Sequence, residues 1–322
     1  MKGYKQLTRE QRYQIEALKK EGFLNKAIAQ NLNVSASTIS REFRRNRGLR
    51  GYRPQQAHQK AVERKLQAVK AIKMTPTLIQ LIEEKIRFDC SPEQISGTLK
   101  LEHNISISHE TLYQHVWRDK KHGGDLYLHL RQAHKKRRKK YASKDKRGQL
   151  KNRVSIEERP LAVEDKARIG DFEIDTVIGK NHQGALVTIV DRKSKFTLIK
   201  KVESKHAEGV TEALIELLAP YKGSIHTITA DNGKEFAGHE EVALALNTSV
   251  YFAHPYCSWE RGLNENTNGL IRQYFPKGTT FENITPEVIA SVMHRLNNRP
   301  RKTLNYRTPN AVFFEEFNRK TA

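Results

Sequence analysis

Residues 258–278 read S-W-E-R-G-L-N-E-N-T-N-G-L-I-R-Q-Y-F-P-K-G, and the other predicted features depend on this stretch. The spacing predicts a helix that ends before Pro276 and Gly278, with an inward stripe of Leu263, Thr267, Leu270 and Tyr274. Glu265 and Arg272 are seven residues apart, close to two helical turns, so both can point into one cleft. Such a pair is more often solvated, so a site needs further acidic residues.

Two aspartates upstream supply them, because each lies at the end of a strand-like run. Asp175 belongs to the alternating segment G-D-F-E-I-D-T-V-I-G, and Asp231 follows the apolar run that starts at Ile225 and ends in D-N-G. Sites in sheet proteins often lie where strands end. We therefore predict that Asp175, Asp231 and Glu265 lie close together.

Three converging carboxylates predict a metal site, because they repel one another unless cations lie between them. A set of oxygen ligands favours Mg²⁺ or Mn²⁺ over Zn²⁺. Two Mg²⁺ ions about 4 Å apart, with Mn²⁺ accepted in their place, would stabilise both oxygens of an in-line phosphoryl displacement. His254 and Cys257 could form half of a zinc site, but the sequence shows no second ligand pair.

The acidic residues resemble a known pattern. Their order, with 33 residues between Asp231 and Glu265 and a basic residue seven after Glu265, resembles the D-D-E core of transposases and retroviral integrases. Two segments of the sequence resemble the IS-thirty family of bacterial insertion-sequence transposases. They are S-W-E-R-G-L-N-E-N-T-N-G-L-I-R-Q-Y-F-P-K-G and N-N-R-P-R-K-T-L-N-Y-R-T-P.

This resemblance covers the catalytic half, and the front half also fits the family. It implies a ribonuclease-H-like α/β core in which the first and fourth strands are neighbours. That arrangement favours Asp175 over Asp191, the other aspartate that ends a strand-like run. In such a site Asp175, Asp231 and Glu265 would hold metal, and Arg272 would clamp phosphate.

The charge is concentrated in the front half of the 322-residue chain. Residues 1–150 hold 34 Lys and Arg against 14 Asp and Glu, which accounts for +20 of the net +22. This distribution predicts a binding half for double-stranded DNA and a catalytic half. An anionic membrane is the competing partner, but no run approaches the 18 apolar residues of a spanning helix, and no secretory signal is visible. We expect a cytoplasmic protein that works on the bacterial nucleoid.

The first 45 residues predict three helices in a helix-turn-helix arrangement. Thr8 caps the first helix and Ser35 caps the third, whose start would enter the major groove. The predicted DNA contacts are Ser35, Ser37, Thr38, Ser40, Arg41, Arg44 and Arg45. A protein-interaction bundle is the alternative for this segment.

A second helix-turn-helix pattern follows, with helix starts at Thr75-Pro76, Ser91-Pro92 and Ser108. Its predicted DNA contacts are Ser108, His109 and Thr111, and we expect Leu112, Val116 and Trp117 to face inward. A dimerising bundle is the alternative. Further on, the run Lys135, Lys136, Arg137, Arg138 is predicted to contact phosphates.

The predicted chain is multi-domain, with all-α helix-turn-helix units followed by the α/β core. The boundaries are 1–50 and 74–122 for the helix-turn-helix units, 51–73 for a helical connector, 123–160 for a basic linker and 161–322 for the core. Strands are expected at 170–178, 185–191, 196–202, 225–230 and 250–253, with helices near 207–218 and 240–246.

The leading hypothesis is a transposase that binds the terminal inverted repeats of its element. It would hydrolyse DNA at the ends with a metal-activated water and use the freed 3′-hydroxyl to attack a target strand. Because two ends must be paired, we expect at least a homodimer. The alternatives are a sequence-specific DNA-binding regulator with an inactive or dimerising core, and a nuclease without strand transfer.

Overall fold

The chain forms two compact units. The computed structural model describes residues 6–67, 74–131, 150, 152–255 and 257–321. The contacts group the chain as Met1–Lys73 and Met74–Ala322. Each described helix is too short or too polar to cross a bilayer.

The first unit contains the three predicted helices and one more. They are α1 (Arg9–Lys20), α2 (Asn25–Asn31), α3 (Ala36–Asn46) and α4 (Pro54–Gln67). Ile15, Ile28 and Ile39 are fully buried between α1, α2 and α3. Helix α4, predicted to be a connector, packs on α1 and α3 through the fully buried Ala57. The compact unit therefore extends beyond residue 50, the predicted end of this domain.

A buried ion pair joins α1 to α3. Nε of Arg12 donates to Oε1 of Glu42 at 2.8 Å, and both side chains are 6% exposed. Asn46 and Tyr52 donate to the same carboxylate at 2.7 and 3.1 Å. These bonds hold α3 in place and satisfy a charge that would be costly to bury alone.

The second unit begins with the other predicted helical segment. Its helices are α5 (Pro76–Arg87), α6 (Pro92–His103) and α7 (His109–Lys121), capped by Thr75, Ser91 and Ser108. Leu112 and Val116 are fully buried, but Trp117 is 51% exposed, so its predicted inward position is wrong. Leu112 and Val116, four residues apart, already form the inward stripe, and Trp117 lies about 100° further round the helix.

A six-stranded mixed sheet forms the core of the second unit. The strands are β1 (Val154–Ser155), β2 (Asp171–Ile178), β3 (Ala185–Asp191), β4 (Thr197–Val202), β5 (Thr227–Ala230) and β6 (Ser249–Phe252), in the order β1-β6-β5-β2-β3-β4. β3 pairs antiparallel with β2 and β4, whereas β5 pairs parallel with β2 and β6. The first and fourth predicted strands are β2 and β5, and they are neighbours in this sheet. This agrees with the expected ribonuclease-H-like core.

Helices cover both faces of this sheet. They are α8 (Ala207–Leu218), α9 (His239–Leu246), α10 (Gly262–Tyr274), α11 (Pro286–Asn297) and α12 (Pro309–Thr321). Helices α8 and α9 pack on one face around Phe172 and Ile189, while α10 and α11 pack on the other around Leu186. The sheet thus holds α10 across β2 and β3.

The predicted basic linker, 123–160, is wrong at both ends. Leu126 is fully buried in the core of the α5–α7 segment. At the other end, β1 pairs parallel with β6, and Arg159 is only 6% exposed and donates to Thr229 at 2.8 Å. The linker was predicted from its density of basic residues, and charge density carries no information about a short edge strand. The run Lys135 to Arg138 lies outside the described residues.

The α5–α7 segment packs directly on the core through Asp89. Its Oδ2 accepts from the hydroxyl of Tyr274 at 2.9 Å and from Arg295 at 2.8 Å. The amide of Gln94 also donates to the carbonyl of Pro300 at 2.7 Å. These bonds connect the second helical segment to the end of α10.

Candidate active site

Asp175 and Asp231 lie at the same level on neighbouring strands. Asp171 pairs with Thr227 and Glu173 with Thr229, a constant offset of 56 residues. The same offset places Asp175 opposite Asp231, directly after β5. The parallel register therefore brings together two of the three predicted carboxylates.

Arg261 holds a positive charge against both carboxylates. Its Nη2 lies 3.1 Å from Oδ2 of Asp231, and its Nη1 lies 3.8 Å from Oδ1 of Asp175. The two aspartate side chains are 22% and 20% exposed, so this cation offsets repulsion between partly desolvated charges. Arg261 was not among the predicted site residues, although it precedes Glu265 by one helical turn.

The polar face of α10 lies along β2. Asn264 is buried and donates from its side chain to the carbonyl of Ile174 at 3.0 Å. Asn268 donates to Oδ2 of Asp175 at 2.7 Å. The first turn of α10 is therefore fixed beside the aspartate pair by amide groups.

Glu265 lies on the first turn of α10, about 40° around the helix from Arg261 and about 60° from Asn268. Its side chain is exposed and has no hydrogen bond or ion pair within the described residues. In that part of the chain no three acidic, His or Cys side chains are close enough to hold a metal ion. Glu265 thus shares a helix with Asn264 and Asn268, which contact β2, while the predicted three-carboxylate cluster is not assembled among the described residues.

Burial raises the pKa of Asp175 to about 6. Arg261 opposes this shift, while the neighbouring charge of Asp231 adds to it. Thr176 donates its backbone N–H to Asp175 at 2.9 Å, which also favours the carboxylate. The charged form of Asp175 therefore depends on a nearby cation.

Asp191, the alternative to Asp175 as the first acidic residue of the site, has a different environment in the structure. Asp191 pairs with Phe172, at the opposite end of β2 from Ile178. It is fully buried and accepts from the N–H groups of Gly170 and Ser194 at 2.8 and 2.7 Å. These bonds close a turn, so Asp191 has a structural role here.

Arg272 donates to backbone carbonyls in this structure. Its guanidinium lies 2.8 Å from the carbonyl of Ile178 and 3.4 Å from that of Phe275. Burial lowers the pKa of Arg272. The predicted phosphate contact would require the side chain to leave these carbonyls.

A further carboxylate, Glu235, lies near the aspartate pair. It accepts from the hydroxyl of Thr176 at 3.2 Å and lies 3.8 Å from Nζ of Lys205. A Cβ on Gly233 would crowd the carboxylates of both Glu235 and Asp231, which would have to move apart. Asp231, Gly233 and Glu235 all belong to the segment D-N-G-K-E-F, but Glu235 was not among the predicted site residues.

Comparisons with known proteins agree with this geometry. Residues 3–46 match a family described as a helix-turn-helix domain, and residues 167–258 match one described as an integrase core domain. The chain is 46% identical over 319 residues to the transposase for insertion sequence element IS4351 of Bacteroides fragilis, covering 98% of each. The chain belongs to the IS-thirty family of insertion-sequence transposases.

Other transposases show the same relationship. The transposase for IS1086 of Cupriavidus metallidurans is 36% identical, with 95% of this chain and 93% of that protein covered. Transposase InsI for IS30A of Escherichia coli is 37% identical, with 95% and 82% covered. The catalytic core domain of BIV integrase is 18% identical, with a TM-score of 0.38, and the match covers 48% of this chain and 99% of that one.

The two family matches and the transposase relatives confirm the predicted fold class and transposase function. The integrase core match includes Asp175 and Asp231 and ends at residue 258, before Glu265. The transposase therefore acts on DNA through an integrase-type core.

The predicted DNA contacts of the first unit lie along α3, from its capping residue onward. Ser35 caps the helix by accepting from the N–H of Thr38 at 3.2 Å. Arg41 donates to Ser37 at 3.0 and 3.1 Å, so its guanidinium is held beside the first turn. The other predicted contacts on this helix, Ser40, Arg44 and Arg45, are exposed.

Helix α7 carries the predicted contacts of the second helical segment at its start. Ser108 caps it by accepting from the N–H of Thr111 at 3.2 Å. His109 is exposed, and its ring meets that of Tyr113 edge-on with centroids 6.4 Å apart. A DNA contact by these side chains stays a prediction.

Proposed function

We propose that this transposase binds the terminal inverted repeats of its element, and that Asp175, Asp231 and Glu265 support metal-dependent strand cleavage and strand transfer. The strongest support is that the parallel register of β2 and β5 places Asp175 opposite Asp231, and that Arg261 contacts both carboxylates. Glu265 lies on the first turn of α10, the helix whose Asn268 contacts Asp175.

The donor set fits a hard divalent cation, Mg²⁺ or Mn²⁺. Asp175 and Asp231 offer carboxylate oxygens that already attract a positive charge, and Glu265 lacks a competing partner within the described residues. When bound, such ions supply Lewis-acid stabilisation to the attacking and leaving oxygens of phosphoryl transfer. Asn268 fixes the orientation of Asp175, and Asn264 fixes the first turn of α10 that carries Glu265.

The test is nicking of a supercoiled plasmid that carries the element's terminal repeats, in Mg²⁺ and in EDTA. We expect nicked and joined products in Mg²⁺ and neither product in EDTA. Binding without any nick would favour a DNA-binding regulator, and nicking without a joined product would favour a simple nuclease. The same assay at two protein concentrations tests the proposed pairing of ends by at least a dimer.

Replacing Arg261 by Gln is expected to tighten divalent metal binding. The change removes the cation that competes for Asp175 and Asp231, so we expect about tenfold tighter Mn²⁺ binding, equivalent to about 1.4 kcal/mol. Without metal, the variant should melt at a lower temperature because the two carboxylates lose their counter-charge. Calorimetric Mn²⁺ titration and thermal melting measure these effects.

Arg272→Gln is the matched control, because Arg272 is also an arginine of this region but donates to the backbone carbonyls of Ile178 and Phe275 rather than to the aspartates. It should leave Mn²⁺ affinity within about twofold of the parent. Equal Mn²⁺ affinity in Arg261→Gln and the parent would exclude Arg261 as a competitor for the metal.

Loss of Arg44 or Arg45 is expected to weaken DNA binding and its salt dependence. Each exposed cation on α3 that contacts a phosphate releases about one counterion, so each Ala substitution should lower the slope of log K against log salt by about 1. Fluorescence anisotropy with a terminal-repeat duplex measures the slope. Lys20→Ala, at an exposed position on α1, should leave the slope unchanged. An unchanged slope in the arginine variants would show that Arg44 and Arg45 do not contact phosphates.

A further inference from the structure

A cavity of about 470 Å³ lies beside the first two turns of α10. Leu263, Asn266 and Leu270 line it. At 100° per residue, these side chains lie on the opposite side of the helix from Arg261 and Asn268. The cavity is therefore separate from the aspartate pair, although one helix borders both.

Trp259 lines this cavity and is 74% exposed. Its neighbours along the chain are anchored. The carboxylate of Glu260 accepts from the backbone N–H of His254 and contacts its Nδ1, both at 2.8 Å, while Arg261 is held by the aspartates. The indole is thus placed beside the cavity with much of its ring in solvent, where it can stack on a flat ligand.

The cavity wall carries unpaired positive charge. Lys166, Lys195 and Arg301 line it, and none of them makes an ion pair with a carboxylate in the part of the chain that the structure describes. Nε of Arg301 is buried without a hydrogen-bond partner. Burial and the neighbouring charge of Lys166 lower the pKa of Lys195 to about 8.

The carboxylates of the wall are already engaged. Glu173 and Glu164 accept from Arg192 at 2.7 and 3.0 Å, and Glu260 is bound to His254. Four cations line the cavity, Lys166, Arg192, Lys195 and Arg301, against these three carboxylates, so the described wall keeps a net positive charge. An anion that enters the cavity would be attracted by that charge.

We infer that this cavity binds one unpaired nucleotide of the DNA substrate, with its base against Trp259 and Leu263 and a phosphate beside Lys166 and Lys195. A nucleotide combines a flat apolar ring with an anion, and the cavity is too small for base-paired duplex. At the start of α10, a Cβ on Gly262 would meet nothing within 4 Å, so a strand can cross there from the aspartate pair. The inference deepens the proposed function and rests on it, because it assigns a second subsite to the same DNA.

Fluorescence of Trp259 tests the subsite in the full-length protein. The chain has two tryptophans, so Trp117→Phe leaves Trp259 as the single one. In EDTA, this variant is titrated with a blunt terminal-repeat duplex and with the same duplex carrying a short unpaired thymidine overhang. We expect the overhang to quench Trp259 emission at least about twofold more than the blunt duplex, because stacking on a base quenches indole. Anisotropy of a labelled duplex confirms that both DNAs are bound.

Competition between the two DNAs then tests individual residues. Trp259→Ala should reduce the preference for the overhang about tenfold, while Trp259→Phe should keep most of it. Lys166→Asn should also reduce the preference; Asn suits the left-handed backbone of Lys166, whose φ is 51°. Lys222→Asn, at an exposed lysine outside the cavity, should have no effect.

Equal quenching by the two DNAs, or an intact overhang preference in Trp259→Ala, would overturn the inference. The assay uses neither metal nor cleavage. Its failure would therefore leave the strand-cleavage proposal standing, and a failure of plasmid nicking would not alter the fluorescence result.

Discussion

Asp231→Asn is expected to reduce strand cleavage by about a thousandfold or more while end binding remains intact. The amide has the same shape but loses the negative charge that would hold a metal ion, and metal stabilisation of the transition state is worth several kcal/mol. Folding should be preserved, because Asp231 is partly exposed and the substitution is isosteric. Plasmid nicking in Mg²⁺ and anisotropy with a repeat duplex measure cleavage and binding separately.

The same loss is expected for Asp175→Asn and Glu265→Gln. Asp165→Asn, at an exposed carboxylate in the loop before β2, is the control and should cleave like the parent. Cleavage within about tenfold of the parent by any of the three site variants would show that the acidic residues are misassigned.

Arg192→Met is expected to destabilise the second unit by about 3–5 kcal/mol, because it leaves a buried carboxylate without its cation. Arg192 and Glu173 have side chains that are 3% and 2% exposed, and their atoms Nη1 and Oε1 lie 2.7 Å apart. Burial raises the pKa of Glu173, and Arg192 opposes that shift. For a unit of this size the melting temperature should fall by roughly 10 °C. Urea unfolding gives the free energy directly.

Two controls separate this effect from ordinary surface electrostatics. Lys200→Met breaks an exposed ion pair with Glu216 and should cost less than about 1 kcal/mol. Adding Glu173→Gln to Arg192→Met removes the stranded charge and should recover part of the lost stability. If Arg192→Met lowers the free energy of unfolding no more than Lys200→Met does, the buried ion pair stabilises the protein no more than a surface pair.

This buried pair also supports the active site. Glu173 accepts from the backbone N–H of Asn264 at 3.2 Å, at the start of α10. The pair therefore links β2, the loop after β3 and the helix that carries Glu265. Loss of Arg192 should lower cleavage as well as stability, because the first turn of α10 loses one of its anchors.

The elements were largely predictable because their signals are local. The predicted helix near 207–218 agrees with α8, Ala207–Leu218, and the predicted strand at 185–191 agrees with β3, Ala185–Asp191. Apolar periodicity and capping residues depend on neighbours within a few positions. Trp117 was misplaced because periodicity identifies a buried stripe but does not determine how wide that stripe is.

By itself, the sequence determined the order of most of the elements and the family, and it predicted the three acidic positions, because periodicity, caps and long sequence words are carried by the chain locally. Only the tertiary structure decided which charges meet. It placed Arg261 on Asp175 and Asp231, engaged Arg272 with carbonyls and enclosed a cationic cavity behind Trp259. The physical reason is that these contacts join residues far apart in the chain, and strand register and helix packing bring them together.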